Sequence, residues 1–127
     1  MAQKELTRTE EQVMQILWRL NKTFLKDIAE SFPQPRPTYT TVSTVIRVLV
    51  KKKFIGFKTY GKINEYHTLI SKTDYFKTKL KPIMTNYFDG SKRDMASFFA
   101  STDLNVSELE EVKLLIEEKI KKLKGRK

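Results

Sequence analysis

A mainly α-helical chain with a small β-hairpin is predicted by three observations. Apolar residues recur at helical spacing from Val13 to Val50. The period shortens to two around Gly56 and Gly61, between Phe54 and Leu69, and helical spacing then returns as far as Leu123. Three helices, a hairpin and a helical tail follow the order of a winged helix-turn-helix domain with a C-terminal helical extension.

Thr7 is suited to cap a first helix from Arg8 to Leu20, with Glu10 completing a capping box and Val13, Ile16, Leu17 and Leu20 on one face. Thr23 is expected to cap a short second helix carrying Leu25, Ile28, Ala29 and Phe32, which Pro33, Pro35 and Pro37 close off. Thr38 caps a third helix from Tyr39 to about Lys52, with a buried stripe of Val42, Val45, Ile46, Leu49 and Val50. Ile55, Phe57 and Thr59 then alternate as a strand, Gly61 and Lys62 turn, and Glu65 to Leu69 return. Beyond Ser71, helices are expected over Thr73–Phe88, Lys92–Ala100 and Glu108–Leu123. Ser91 caps the second of these and Ser107 with Glu110 the third, while Pro82 should kink or break the first. The division expected is residues 1–70 as a winged DNA-binding domain and 71–127 as a helical dimerisation domain.

The 127 residues carry a net charge of +10, with 39% hydrophobic and 31% charged side chains, which describes a globular chain with a polyanionic partner. From Arg36 to Lys62 the charged residues are Arg36, Arg47, Lys51, Lys52, Lys53, Lys58 and Lys62, with no acid among them. The outer face of the third helix shows Thr40, Thr41, Ser43, Thr44, Arg47 and Lys51. Short hydroxyl side chains allow close approach to a major groove, and the lysines after the helix and in the hairpin supply phosphate contacts. Double-stranded DNA is therefore the expected partner.

No apolar run approaches the roughly 20 residues of a membrane span, and the N-terminus has no signal-peptide core, so a cytoplasmic location is expected. The absence of cysteine excludes disulfides, thiolate metal sites and a cysteine nucleophile. His67, the one histidine, lacks companions at ligand spacing and reads as a strand residue. Glu108, Glu110, Glu111, Glu117 and Glu118 alternate with lysines on the outer face of the last helix as a solvated, paired surface. Without a phosphate loop or nucleophile elbow, neither an enzyme nor a cofactor, metal or small-molecule substrate is expected. On the same helix Leu109, Val112, Ile116, Ile120 and Leu123 form a stripe that needs a partner surface.

The order and spacing of several segments resemble the penicillinase-repressor family of winged-helix regulators, which includes the penicillinase, methicillin-resistance and copper-transport repressors. The segments are Leu6-Thr7 with Glu10-Glu11 and Ile16-Leu17-Trp18, Thr40 to Val45 leading to Arg47 to Lys53, Tyr60-Gly61-Lys62 with Tyr66, and Tyr87 to Ser91 before Phe98-Phe99. The resemblance covers nearly the whole chain, from about Leu6 to Leu123. The resemblance implies a homodimeric repressor on a dyad-symmetric operator, with the last three helices interlocked between protomers. It implies that Thr41, Thr44 and Arg47 face bases and that Thr40, Lys51, Lys58 and Lys62 contact phosphates. It also implies relief by proteolysis through a membrane-bound sensor protease, the matching bond being Phe98–Phe99, where the antibiotic-responsive members have Asn before Phe. The missing cysteines separate the chain from the copper-responsive branch. From the residues alone, a winged-helix protein–protein assembly module without specific DNA binding remains the alternative.

Overall fold

The computed structural model describes residues 6–126. In chain order the elements are α1 (Arg8–Leu20), β1 (Lys22–Phe24), α2 (Leu25–Glu30), α3 (Tyr39–Lys51), β2 (Ile55–Tyr60), β3 (Ile63–Thr68), α4 (Lys72–Phe88), α5 (Lys92–Ser101) and α6 (Val106–Lys124). The chain divides into two compact units, one up to Lys79 and one from Leu80.

The first unit is a winged helix. Its α1 starts as expected: the Thr7 backbone N–H donates to Glu10 Oε1 at 2.8 Å and the Glu10 N–H donates to Thr7 Oγ1 at 3.2 Å. Thr38 caps α3 by accepting the Thr41 N–H at 3.1 Å. Val13, Met14 and Leu17 of α1, Ile28 of α2 and Val42, Ile46 and Leu49 of α3 meet in one core with Phe32, Phe54, Ile55 and Tyr75. Val45 and Val50, expected in the stripe of α3, are only half-buried at its margin.

Two local expectations are corrected here. The residues around Thr23 form a strand, so the expected hairpin is part of a three-stranded antiparallel sheet in the order β1-β3-β2. Thr23 faces Tyr66, and its hydroxyl donates to Asp27 Oδ2 at 3.0 Å; α2 begins two residues later without a side-chain cap. Strand pairing won because three residues already in β conformation satisfy the otherwise open edge of β3. In the wing, Tyr60 pairs with Ile63 around Gly61, whose φ of +63° is the left-handed conformation that a two-residue hairpin loop requires. His67 lies in β3 opposite Gly56, so close that a Cβ there would stand 2.8 Å from its Nε2.

The start of α4 is locked into the first unit by side chains. Trp18 Nε1 donates to the Ile70 carbonyl at 2.9 Å, and the Tyr75 ring lies 5.7 Å from Trp18 and 6.1 Å, edge-on, from Phe54. Glu11 Oε2 accepts from the Tyr75 hydroxyl at 3.1 Å and from Lys79 Nζ at 2.7 Å. α4 runs through Pro82 without the break that is one of the two outcomes expected there. Proline costs a helix one N–H bond and a local clash, which weakens the helix there without ending it.

In the second unit Ser91 caps α5 by accepting the Asp94 N–H at 3.0 Å, and the rings of Phe88 and Phe98 lie 6.0 Å apart. The last helix starts earlier than expected. Asn105 and Glu108 form its capping box, at 2.8 and 3.0 Å, in place of Ser107 and Glu110. Asparagine caps as well as serine does, and its use adds two residues, Val106 and Ser107, to the start of the helix. No residue of α5 or α6 is fully buried.

Both glutamates at the start of α1 are held below their ordinary value of 4.5. For Glu10 burial opposes ionisation, but the Thr7 N–H and the Lys52 ammonium outweigh it. For Glu11 the Lys79 hydrogen bond leads, against burial and with help from Tyr75. A depressed folded pKa contributes stability that is present above 4.5 and lost as pH falls through the lowered value. Thermal melts of the full chain should therefore show Glu10→Gln and Glu11→Gln losing less stability than the parent between about pH 5 and about pH 3. A parent and variants with parallel acid limbs would contradict this assignment.

Candidate nucleic-acid interface

The chemistry offered by α3 follows from its helical period. Thr40, Thr44, Arg47 and Lys51 recur at four, three and four residues, so they form one row along the helix, opposite the buried Val42, Ile46 and Leu49. All four are exposed, as is Thr41, which flanks the row beside Val48. The hydroxyl of Thr41 also accepts from that of Thr38 at 2.9 Å. No acidic residue lies on α3. Such a face places short hydroxyl side chains, one guanidinium and one ammonium along about 20 Å of rod, at 1.5 Å per residue.

The wing contributes Lys58 and Lys62, both exposed. Lys58 stands opposite Glu65 in the β2–β3 ladder and carries its Nζ 5.4 Å from the centre of the Tyr60 ring, whereas Lys62 occupies the turn. The run free of acid in sequence therefore acquires an acidic neighbour in space at Lys58 and none on α3.

Two basic residues of the expected footprint are committed elsewhere. Lys52, read from sequence as a phosphate contact, binds both oxygens of the buried Glu10, at 3.1 and 3.0 Å. Arg36 donates from Nε to the Phe32 carbonyl at 2.8 Å and ties down the proline-rich connection. Nothing in the run Lys51–Lys53 marks out the one whose partner lies 42 residues away. Sequence reasoning also passed over Tyr39, 55% exposed at the first position of α3, and Lys26, exposed at the start of α2. Tyr39, Lys26 and Lys62 share the border of a groove of about 260 Å³, to which Phe24, Leu25, Ile63, Asn64 and Tyr66 also contribute.

In the second unit, Leu109, Val112, Ile116 and Ile120 lie at intervals of three and four on one face of α6. Leu109 is 40%, Ile116 55% and Ile120 46% exposed, and Val112 is half-buried. Phe98 and Phe99, on α5, are both exposed. Among the described residues no cluster of three His, Asp or Glu side chains could hold a metal ion, and no helix is long and apolar enough to cross a membrane.

A family model described as the penicillinase repressor matches residues 6–118, which takes in α1 to α5 and most of α6. The chain belongs to the penicillinase repressor family. That is a family of DNA-binding transcriptional repressors, not of enzymes. The chain is 30% identical over 117 residues to the methicillin resistance regulatory protein MecI of Mammaliicoccus sciuri, covering 91% of this chain and 95% of that one. The corresponding protein of Staphylococcus aureus strain N315 is 29% identical over the same length. The penicillinase repressor of Bacillus licheniformis is 21% identical over 116 residues, covering 90% of this chain and 91% of that one. Among solved structures, that of BpsR from Bordetella bronchiseptica, described with the regulation of its DNA binding by 6-hydroxynicotinic acid, superposes with a TM-score of 0.50 at 14% identity. It covers 93% of this chain and 77% of BpsR, a likeness of fold.

The two lysines that end α3 should separate in experiment. Lys52→Ala leaves the Glu10 carboxylate buried and unpaired and is expected to cost about 1 to 3 kcal/mol of stability, whereas Lys51→Ala, on the exposed row, should change stability by less than about 0.5 kcal/mol. Urea titrations of the two variants measure the difference. Equal midpoints would mean that the Glu10–Lys52 pair contributes nothing.

Proposed function

We propose that this member of the penicillinase repressor family is a sequence-specific transcriptional repressor that acts as a homodimer on a dyad-symmetric operator. The observation that carries this reading is the acid-free row of Thr40, Thr44, Arg47 and Lys51 along α3, held outward by the core on its other side. In the proposed complex α3 enters the major groove. Thr41, Thr44 and Arg47 meet base edges; Thr40, Lys51, Lys58 and Lys62 hold the flanking phosphates. The N-terminal unit is then the DNA-binding domain and the C-terminal helices are the dimerisation domain. A second copy covers the stripe of Leu109, Val112, Ile116 and Ile120, since each large aliphatic side chain removed from water contributes about 1.5 to 3 kcal/mol. A repressor of this kind works in the cytoplasm.

Relief of repression is assigned, by the same family reading, to proteolysis triggered by a membrane-bound sensor protease. The exposed Phe98–Phe99 pair on α5 is the proposed bond. A cut there detaches α6 from the DNA-binding unit and leaves every base contact in place.

Three measurements test the parts separately. A duplex selected from a randomised pool with the full chain serves as operator. Arg47→Ala should lose about 1 to 3 kcal/mol on it and discriminate less against random DNA, while Lys62→Ala should weaken binding to all duplexes alike. Equal losses on both DNAs for Arg47→Ala would exclude base reading by that residue. Ile116→Asp should sediment as a monomer at micromolar concentration; a persisting dimer would put the interface elsewhere. A fragment of residues 1–98 should unfold cooperatively yet bind the operator about 10²- to 10⁴-fold more weakly than the full chain, because the second half-site contact is no longer intramolecular. Matching affinities for fragment and full chain would remove dimerisation from the mechanism.

A further inference from the structure

The groove between α2, the start of α3 and the wing exists because of the strand that the sequence did not announce. Pairing of Lys22 with His67 and of Phe24 with Glu65 brings the start of α2 against β3. The groove that results, about 260 Å³, has Phe24, Leu25, Ile63 and Tyr66 as its apolar surface, with Tyr39, Asn64, Lys26 and Lys62 supplying the polar groups. Tyr66 and Phe24 are half-buried, so the walls are firm, while both lysines and Tyr39 stay exposed.

No carboxylate lines this groove. The nearest acids in sequence are otherwise placed. Asp27 accepts from the Thr23 hydroxyl, and Glu65 is not among the lining residues, its neighbours Asn64 and Tyr66 being the ones that are. Neither Lys26 nor Lys62 forms an ion pair among the described residues. The groove adjoins the proposed interface through two of its lining residues, since Tyr39 precedes Thr40 and Thr41 on α3 and Lys62 is in the wing turn.

We infer that this groove is the track for one sugar–phosphate strand of the operator, with Lys26 as a phosphate contact on the far side of that strand from Lys62. An apolar wall between two ammonium groups matches the alternation of a DNA strand, in which an apolar deoxyribose face separates successive phosphates. The Tyr39 hydroxyl and the Asn64 amide add hydrogen-bond donors to phosphate oxygens. The contact set then extends from α3 and the wing to α2, and the strand is gripped from both sides instead of resting on one. The inference rests on the proposed reading of the chain as an operator-binding repressor.

The test uses the full-length protein and the duplex selected from a randomised pool, with affinity followed from about 50 to about 200 mM salt. Each phosphate contact contributes about 0.9 to the slope of log affinity against log salt, so Lys26→Gln should show a salt response roughly three- to fourfold smaller across that range. The loss should be equal on selected and random duplexes, since phosphate contacts carry no sequence preference. Single methylphosphonate substitutions along the duplex then locate the contact: at one backbone position the neutral linkage should weaken the parent and leave Lys26→Gln unchanged. Lys26→Gln with the parental slope, or with no methylphosphonate position that cancels its effect, overturns the inference. So does saturable binding of benzoate in the groove that Lys26→Gln abolishes while DNA binding is unaltered, which would make the groove a pocket for small aromatic anions. A parent protein that prefers no duplex and binds none at low salt would instead defeat the operator-binding reading itself.

Discussion

Everything that α3 presents to solvent depends on what its other face buries. Val42, Ile46 and Leu49 are fully or almost fully withdrawn from water against Val13, Met14 and Leu17 of α1. At about 1.5 to 3 kcal/mol for each large aliphatic side chain, this contact is several times the energy of any surface polar interaction, so it decides the rotation of the helix about its own axis. A rotation of α3 by one residue would carry Arg47 into the buried position of Ile46 and Ile46 out to the half-buried position of Val45, and both changes are unfavourable. The row from Thr40 to Lys51 is thus held in place by residues that are not part of it.

Electrostatics completes the separation of faces. In the winged unit, Glu10 and Glu11 at the start of α1 are paired with Lys52 and with Lys79 and Tyr75. These pairs neutralise each acid locally and join distant segments: α1 to the end of α3, and α1 to α4. A net charge of +10 spread evenly would attract any polyanion weakly. Concentrated on the acid-free row of α3, the same charge makes one face to which, on the proposed reading, a phosphate backbone is drawn.

Much of this was legible in the sequence, for a physical reason that also marks the limit. Features governed by neighbours three or four residues away were readable. The capping box of Thr7 and Glu10, the Thr38 cap, the buried stripe of α3 and the Gly61 turn all depend on local geometry. The three-residue strand β1 was not readable, because its stability comes from β3 more than 40 residues later, and a Thr before a short helix is locally indistinguishable from a cap. Lys52 was misread for the same reason. Within the run Lys51–Lys53 nothing local singles out the residue whose partner is Glu10. At the start of α6 two overlapping capping boxes compete, Asn105 with Glu108 and Ser107 with Glu110, and the structure takes the one that lengthens the helix. Lys26 and Tyr39 escaped notice because a groove is a property of three elements at once.

The proposed division of labour between the two units also follows from the size of the face that α3 offers. A rod of 13 residues inserted into one groove touches only a few base pairs, and the hydrogen bonds available to Thr41, Thr44 and Arg47 give limited discrimination. On the proposed reading, specificity therefore comes from requiring two such surfaces at a set separation, and the exposed stripe of α6 supplies the means of joining them. That arrangement imposes a condition on the winged unit itself. If one copy bound its half-site tightly alone, cutting the chain at α5 would leave it seated on the DNA and repression would persist. On that reading, modest affinity in the single unit, with short hydroxyl side chains and few charged contacts on α3, is the condition for the loss of α6 to act as a switch.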